Sequence, residues 1–251
     1  PFMSHITYNP LLSFAAYLIV VKFILNKNYS LLIKNIHILS FLFMTINMFI
    51  TGGRTGQIMF FLVIIILCFH TFKYSFYKSL FSSILVSSLI FFAAYNSSDL
   101  FKTRTDEGIY SIKNFNLSGS DTYGKSTMQR VVWVINGLHI FAENPIIGVG
   151  TGDLRREMWL AHQELSPEVK STDNPHNMYV MVLVQFGIIG FISLLYIFYT
   201  QIRFSITNKD ALLGKLGFTL PVLFIVANLA ESYLSVHTTS LFYSIFSAII
   251  Y

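Results

Sequence analysis

The sequence predicts an all-α, polytopic membrane helix bundle of about seven transmembrane helices. Apolar residues make up 54% of the 251 positions, and Phe alone occurs 25 times. Only 12% of the residues are charged, about half of what a soluble domain carries. Apolar runs of roughly 16 to 20 residues recur between short polar stretches, and each is about long enough to cross a bilayer core.

Positive charge orients these spans. The predicted spans are residues 9–25, 31–50, 55–72, 79–95, 176–200, 211–230 and 235–251. Lysine and arginine collect in or beside three alternate connections, at Lys22, Lys27, Lys34, Lys73, Lys78, Arg203, Lys209 and Lys215. Cytoplasmic loops of membrane proteins are enriched in these residues, so we expect the three connections in the cytoplasm. The same rule explains the basic pI of about 9.2, so this pI does not indicate a nucleic-acid partner.

A long connection separates two groups of spans on the opposite side. The chain thus divides into helices in 1–95, a loop in 96–175 and helices in 176–251, all within one integral membrane domain. The loop contains eight Lys or Arg and ten Asp or Glu. A connection this long is usually functional or disordered.

Parts of this loop are predicted to be helical. Ser126 and Gln129 have capping-box spacing, and an apolar helix should then run to Asn144 and stop at Pro145. Residues 153–165 are predicted to form an amphipathic helix. The Ser-, Gly-, Asn- and Asp-rich stretch 104–124 is predicted to be irregular, and Gly148-Val149-Gly150-Thr151-Gly152 to be a turn that redirects the loop.

His176 is the strongest candidate for catalysis. Asp173 or Asn174 is predicted to cap the fifth span, with Pro175 and His176 in its first turn at the outer membrane surface. A helix N-terminus disfavours imidazolium, so the ring would be neutral, as a general base must be. Eleven positions rotate a helix to about 20° beyond three full turns. Gly187 should therefore share the His176 face, where Gly187 and Gly190 would allow close helix packing.

Other candidates lie at the predicted outer ends of spans. Arg54 follows Gly52 and Gly53 and begins the third span, where glycines let backbone amides approach a ligand closely. An anchoring arginine is the alternative. Arg130 lies in the apolar loop helix, and Glu231 is the acidic residue between the last two spans. An interfacial carboxylate is a functional candidate, although pairing with an arginine is equally consistent with the sequence.

Several of these segments resemble motifs of the O-antigen ligase family in the right order. Gly53-Arg54-Thr55-Gly56 resembles its Ser-Arg-x-Gly element, with Gly in place of Ser, and Arg130 before Trp133 has a counterpart there. Asn144-Pro145 through Gly152 looks like its NPxxGxGxG stretch. His176-Asn177, nine residues and Gly187-Ile188-Ile189-Gly190 match its HNx9GxxG pattern.

The resemblance implies a GT-C-like glycosyltransferase of the bacterial inner membrane with its active site facing the periplasm. It would transfer a glycan from undecaprenyl diphosphate to lipid A–core without metal or cofactor, and this chain would be the C-terminal part of such an enzyme. His176 would be the general base, while Arg54 and Arg130 would stabilise the diphosphate. Asn177, Gly53, Trp133 and Glu231 would bind substrate.

Three alternatives remain open. O-antigen polymerases and protein O-oligosaccharyltransferases share the motifs and differ in the acceptor. A transporter of lipid-linked sugars would instead need charged or broken helices near the middle of the membrane. The predicted spans are free of charge at their centres, and the polar groups collect at one face, which favours surface chemistry.

Overall fold

The structure, a computed structural model, describes residues 4–26, 28–73, 75–113 and 125–251. These residues form α-helices and connecting turns, with no β-strand among them. The helices are α1 (His5–Leu25), α2 (Leu31–Ile50), α3 (Arg54–Thr71), α4 (Phe76–Ser97), α5 (Asp99–Lys113), α6 (Lys125–Glu143), α7 (Leu154–Leu165), α8 (Met178–Thr207), α9 (Ala211–Ala227) and α10 (His237–Ile250). The predicted all-α membrane bundle is confirmed.

Seven of these helices occupy the seven predicted spans. Five of the described helices, α1 to α4 and α8, are long and apolar enough to cross a membrane. α8 continues to Thr207, beyond the predicted end at 200. α9 has 17 residues and α10 has 14, so both are shorter than the roughly 20 residues that a perpendicular span needs.

The chain forms two compact units. The first consists of Pro1–Arg104, Thr200–Ala227 and Thr238–Tyr251. Phe49 and Phe60 are buried in its core and meet edge to face with their ring centroids 5.8 Å apart. The Tyr17 hydroxyl lies 2.9 Å from Nδ1 of His70 and donates to the Lys215 carbonyl. Aromatic packing and satisfied polar groups therefore hold these helices together.

The second unit consists of Thr105–Tyr199 and Asn228–His237. Its core is formed by α6, α7 and the first half of α8, with Trp133, Met158 and Val184 buried. The two loop helices match their predictions: α6 ends at Glu143, just before Pro145, and α7 is amphipathic. α6 begins by Lys125, so Ser126 lies inside the helix and not at its cap.

The prediction that residues 104–124 are irregular is wrong for its first half, because α5 extends to Lys113. Ser98 accepts the Phe101 backbone N–H and so caps this helix. Asp99 in the first turn and Lys113 in the last also complement the helix dipole. These end effects favour the helix despite its polar composition. Residues 114–124 lie outside the described part of the chain.

α8 is interrupted at Gly187, whose φ of 63° and ψ of −160° are not helical. The turn after α6 supplies hydrogen bonds across the break. The backbone N–H groups of Val149 and Gly150 donate to the carbonyls of Val184 and Gln185, at 2.8 and 2.9 Å. In the opposite sense, the Ile188 N–H donates to the Pro145 carbonyl at 2.9 Å.

This break changes the interpretation of the glycines. A Cβ on Gly187 would overlap the Ile146 carbonyl, and one on Gly148 would overlap the Val184 carbonyl. Residues 144–152 thus form the predicted turn, and it is docked on α8. The prediction that Gly187 shares one continuous helix face with His176 is wrong. Beside Gly190 lies the Phe186 side chain of the same helix, while packing of Gly190 against another span stays a prediction.

Replacing Gly187 with Ala should destabilise the protein. The added Cβ would overlap the Ile146 carbonyl, and a φ of 63° is unfavourable for any residue with a side chain. We expect a cost on the order of 1–3 kcal/mol, measured as a lower unfolding temperature of the purified protein in detergent. Gly152→Ala is the matched control, because nothing lies within 4 Å of a Cβ there. Equal unfolding temperatures for the two variants would contradict the docking.

Candidate active site

The candidate site is built on two polar turns of the second unit, and the first precedes α8. Asn177 caps this helix, since its Oδ1 accepts the backbone N–H groups of Tyr179 and Val180 at 3.0 and 3.1 Å. The prediction that Asp173 or Asn174 caps the helix is wrong. His176 accordingly lies before the cap and not in the first helical turn, with an uncommon positive φ of 50°.

The second turn, residues 228–236, joins α9 to α10 and is tied to the first by hydrogen bonds. The Met178 N–H donates to the Asn228 carbonyl at 2.9 Å, and Nδ2 of Asn177 donates to the Leu229 carbonyl at 3.0 Å. Oδ1 of Asn174 accepts both the His176 N–H and the Ser232 hydroxyl at 2.8 Å. The amide of Asn177, predicted to bind substrate, therefore has structural partners.

These ties bring His176 and Glu231 together. Nδ1 of His176 lies 2.8 Å from each oxygen of the Glu231 carboxylate. Glu231 is 5% exposed, and its Oε1 also accepts the Ser232 backbone N–H at 3.1 Å. An ionised carboxylate can only accept, so Nδ1 carries a proton and donates it to this bond. In a neutral ring Nε2 is then the atom free to accept a proton.

Arg130 approaches the same carboxylate from α6. Its Nη1 donates to the Ala230 carbonyl at 2.9 Å, and its Nη2 lies 3.6 Å from Oε2 of Glu231. Burial by itself raises the pKa of the Glu231 carboxyl. The hydrogen bond and charge of His176, the Ser232 N–H and the charge of Arg130 outweigh burial and hold this pKa below its usual value. The pairing of Glu231 with an arginine is thus observed.

Trp133, one turn after Arg130 on α6, fixes the plane of the histidine ring. The Trp133 and His176 ring centroids are 4.8 Å apart with an interplanar angle of 30°. The Trp133 indole N–H donates to the Lys170 carbonyl at 2.8 Å, and the side chain is mostly buried. With the carboxylate on one edge and the indole on one face, the orientation of the imidazole is set by the surrounding structure.

An open cavity of about 440 Å³ lies beside His176. Its lining is mostly polar and comes from the loop helices and the turn before α8: Gln129, Trp133, Arg155, Trp159, Lys170, Ser171, Thr172, Asp173 and His176. This volume falls within the usual range for small-molecule sites. A substrate group can therefore reach the histidine from this side.

Arg54 and Gly53 belong to the first unit. Gly53 precedes α3 with a φ of 150°, and Arg54 is the first residue of that helix. The predicted position of Arg54 at the start of a span is confirmed. Its role in catalysis, and that of Gly53 in substrate binding, stay predictions.

Sequence patterns missed several residues of the site. The Asn174 side chain accepts both the His176 N–H and the Ser232 hydroxyl, and the Ser232 N–H donates to Glu231. The contacts of Ser232 with Asn174 join turns that are distant in the sequence. Arg155 and Trp159 line the cavity, and their spacing of four residues on an amphipathic helix was a usable signal that both side chains share one face. The polar cluster Asn174-Pro175-His176-Asn177 and Glu231 were both visible in the sequence, but the contact between their two turns was not.

Acid should weaken the fold through Glu231. Because the pKa of Glu231 is lower in the folded protein, its contribution is complete above the unfolded value of about 4.5 and is lost as the pH falls through the folded pKa. Glu231→Gln should therefore flatten the drop in unfolding temperature between about pH 6 and about pH 3.5.

Glu143→Gln is the matched control for this experiment. Glu143 also faces a histidine, His139 at 3.7 Å, but its side chain is 59% exposed. An exposed pair of this kind contributes little to stability, so the control should keep the wild-type pH dependence. If Glu231→Gln and Glu143→Gln behaved alike, the stabilising role of Glu231 would be disproved.

Comparison with known proteins identifies the family of the chain. The sequence profile described as O-antigen ligase matches residues 39–195, which is more than half of the chain. The matched region includes Arg54, Arg130 and His176. It also includes the turn 144–152 and the break in α8 at Gly187, on which this turn is docked. No curated protein matches the sequence. The chain belongs to the O-antigen ligase family, whose members are multi-pass membrane enzymes that transfer glycans.

Proposed function

We propose that the protein transfers a glycan from undecaprenyl diphosphate to a hydroxyl of lipid A–core at the periplasmic face of the bacterial inner membrane. The observation that carries this proposal is the contact between Nδ1 of His176 and the buried Glu231 carboxylate. That pair holds the imidazole in the tautomer that a general base needs. Membership in the family supports glycan transfer, and the two turns supply a group able to activate an acceptor hydroxyl.

The reaction is a direct displacement at the anomeric carbon. The acceptor oxygen attacks this carbon while Nε2 of His176 takes its proton. The bond between the anomeric carbon and the donor oxygen breaks, and its electron pair leaves with the lipid diphosphate. The anomeric configuration is inverted. The imidazolium that forms is stabilised by Glu231, which already accepts its Nδ1–H.

The leaving diphosphate gains negative charge as the bond breaks, and two arginines are proposed to stabilise it. A guanidinium has five N–H donors. Arg130 uses an Nη1 donor on the Ala230 carbonyl, and its Nη2 forms an ion pair with Glu231 at 3.6 Å. Its remaining donors can face a phosphate while its charge also positions Glu231. Arg54, at the start of α3, would add its charge to the positive end of that helix.

The break in α8 bears on the transporter alternative, since broken helices are typical of ion and substrate sites in transporters. Here the carbonyls of Val184 and Gln185 are occupied by backbone N–H groups of residues 149 and 150. Docked loop backbone, and not a ligand, satisfies these freed groups. The break therefore favours a fixed scaffold over a transport site.

Loss of the histidine–carboxylate pair should abolish most of the activity. In vesicles containing the full-length protein, undecaprenyl-diphosphate glycan and lipid A–core, His176→Ala and Glu231→Gln should each lower the transfer rate by about 100-fold or more. Glu231→Gln acts because its amide can donate to Nδ1 and stabilise the wrong tautomer. The measurement is the initial rate at saturating donor and acceptor.

His139→Ala is the control, since His139 is a partly exposed histidine of the same unit paired with Glu143. It should retain the wild-type rate. Near-wild-type transfer by His176→Ala at equal protein level would refute the general base. A second arm replaces lipid A–core with another lipid-linked glycan: longer lipid-linked chains in that arm, with no transfer to lipid A–core, would identify a polymerase.

The arginines should act on the donor. Arg54→Ala and Arg130→Ala are expected to lower transfer by roughly 10-fold to 1,000-fold, because each would remove a charge from the leaving group. The exposed Arg156, which does not line the cavity, provides the control Arg156→Ala. The rates are measured in the same vesicles. An Arg54→Ala variant with the rate of Arg156→Ala would contradict a role of Arg54 in catalysis.

A further inference from the structure

The cavity beside His176 holds both tryptophans of this chain, Trp133 and Trp159. Their situations differ. Trp133 is 9% exposed, stacks near the histidine ring and uses its N–H on the Lys170 carbonyl. Trp159 is 52% exposed. Trp133 is thus part of the scaffold, whereas Trp159 offers an open aromatic surface inside a polar cavity.

An open indole among hydrogen-bonding groups suits a sugar ring. One face of a pyranose presents C–H groups that pack on an aromatic ring, while its hydroxyls need polar partners. Gln129 and Ser171 line the same cavity and supply an amide and a hydroxyl, while the Thr172 hydroxyl, also in the lining, is engaged by the Asn174 backbone. The lining thus combines one apolar platform with convergent polar groups, as small-molecule sites do.

The charges of the cavity favour an acidic sugar. Arg155, Lys170 and Asp173 all line it, and none of the three forms an ion pair with another described residue. Two cations and one carboxylate leave an excess of positive charge. On α7, Arg155 and Trp159 lie four residues apart, so their side chains share one face of the helix.

We propose that this cavity is the acceptor subsite, an inference that rests on the proposed function. The acceptor sugar carries an acidic group, a phosphate or carboxylate, and stacks on Trp159. Arg155 and Lys170 bind the acidic group, and the attacking hydroxyl is thereby directed to Nε2 of His176. Trp159 and Arg155 are then specificity-determining residues for the acceptor and have no part in donor binding.

Kinetics with two acceptors test this assignment. Trp159→Ala should raise the KM for lipid A–core by about tenfold, while Trp159→Phe, which keeps an aromatic face, should raise it by no more than about threefold. Arg155→Gln should raise the KM for phosphorylated lipid A–core by about tenfold and have little effect with dephosphorylated lipid A–core. The KM for the lipid-linked donor should not change in any variant.

Neighbouring positions on α7 give matched controls. Arg156→Gln removes a charge from an exposed arginine that does not line the cavity, and Leu160→Ala shortens an exposed side chain that lines a different one. Both should keep the wild-type KM values. If Trp159→Ala and Arg155→Gln matched these controls, or raised the KM for the donor instead, the acceptor subsite would be disproved.

Binding gives a readout that does not need catalysis. The soluble core oligosaccharide, released from rough-type lipopolysaccharide by mild acid, is titrated while tryptophan fluorescence is recorded. We expect saturable quenching that Trp159→Phe reduces, with an affinity several-fold weaker for the dephosphorylated oligosaccharide. Inorganic phosphate alone should not reproduce the signal. Equal responses to phosphate and oligosaccharide would reduce the site to an anion site and overturn the sugar assignment.

The two readouts separate failure of this inference from failure of the proposed function. Oligosaccharide binding that depends on Trp159, without glycan transfer by the wild-type protein, would contradict the reaction and leave a sugar site. Normal transfer with unchanged acceptor KM in Trp159→Ala would contradict only the subsite.

Discussion

In a chain with so few charges, every backbone group that leaves a helix must find another hydrogen-bond partner, because an unsatisfied group in apolar surroundings costs several kcal/mol. Two interruptions of regular structure show how this requirement is met. At Gly187 the turn after α6 exchanges hydrogen bonds with α8 in both directions. Before α8, Asn177 caps the helix and Asn174 joins the two polar turns. The second arrangement creates the candidate site, since it holds His176 beside Glu231.

The electrostatics of that site depend on Glu231. A carboxylate 5% exposed would be costly if it were alone. Here it has His176, Arg130 and the Ser232 N–H around it, and its pKa falls despite burial. The same contacts that stabilise the carboxylate also fix the imidazole on one edge, while Trp133 covers one ring face. Stability and orientation of the proposed base therefore have a common origin.

The sequence predicted most of what depends on local patterns. The apolar runs predicted the membrane-spanning helices, and Pro145 predicted where α6 ends. The amphipathic pattern of residues 153–165 predicted α7. It also singled out His176, Arg130, Trp133 and Glu231, which the structure brings together. What it could not predict follows from distant contacts. The positive φ of Gly187 depends on a docked turn about 40 residues earlier. Asn177 and not Asn174 caps α8, and the Asn174 side chain instead accepts the Ser232 hydroxyl. Position relative to a helix end was consequently the wrong argument about His176, whose Nδ1 proton is positioned by the neighbouring Glu231 carboxylate.

The docking of residues 145–150 on α8 also has a consequence for biosynthesis. The turn precedes in the chain the helix that it interrupts, so it is synthesised before its hydrogen-bond partners in α8. Until these bonds form, the segment around Gly187 can satisfy its own backbone only as an unbroken helix. The interrupted form therefore requires both the turn and α8. The glycines at 148 and 187 thus allow the two backbones to approach closely enough to form these hydrogen bonds.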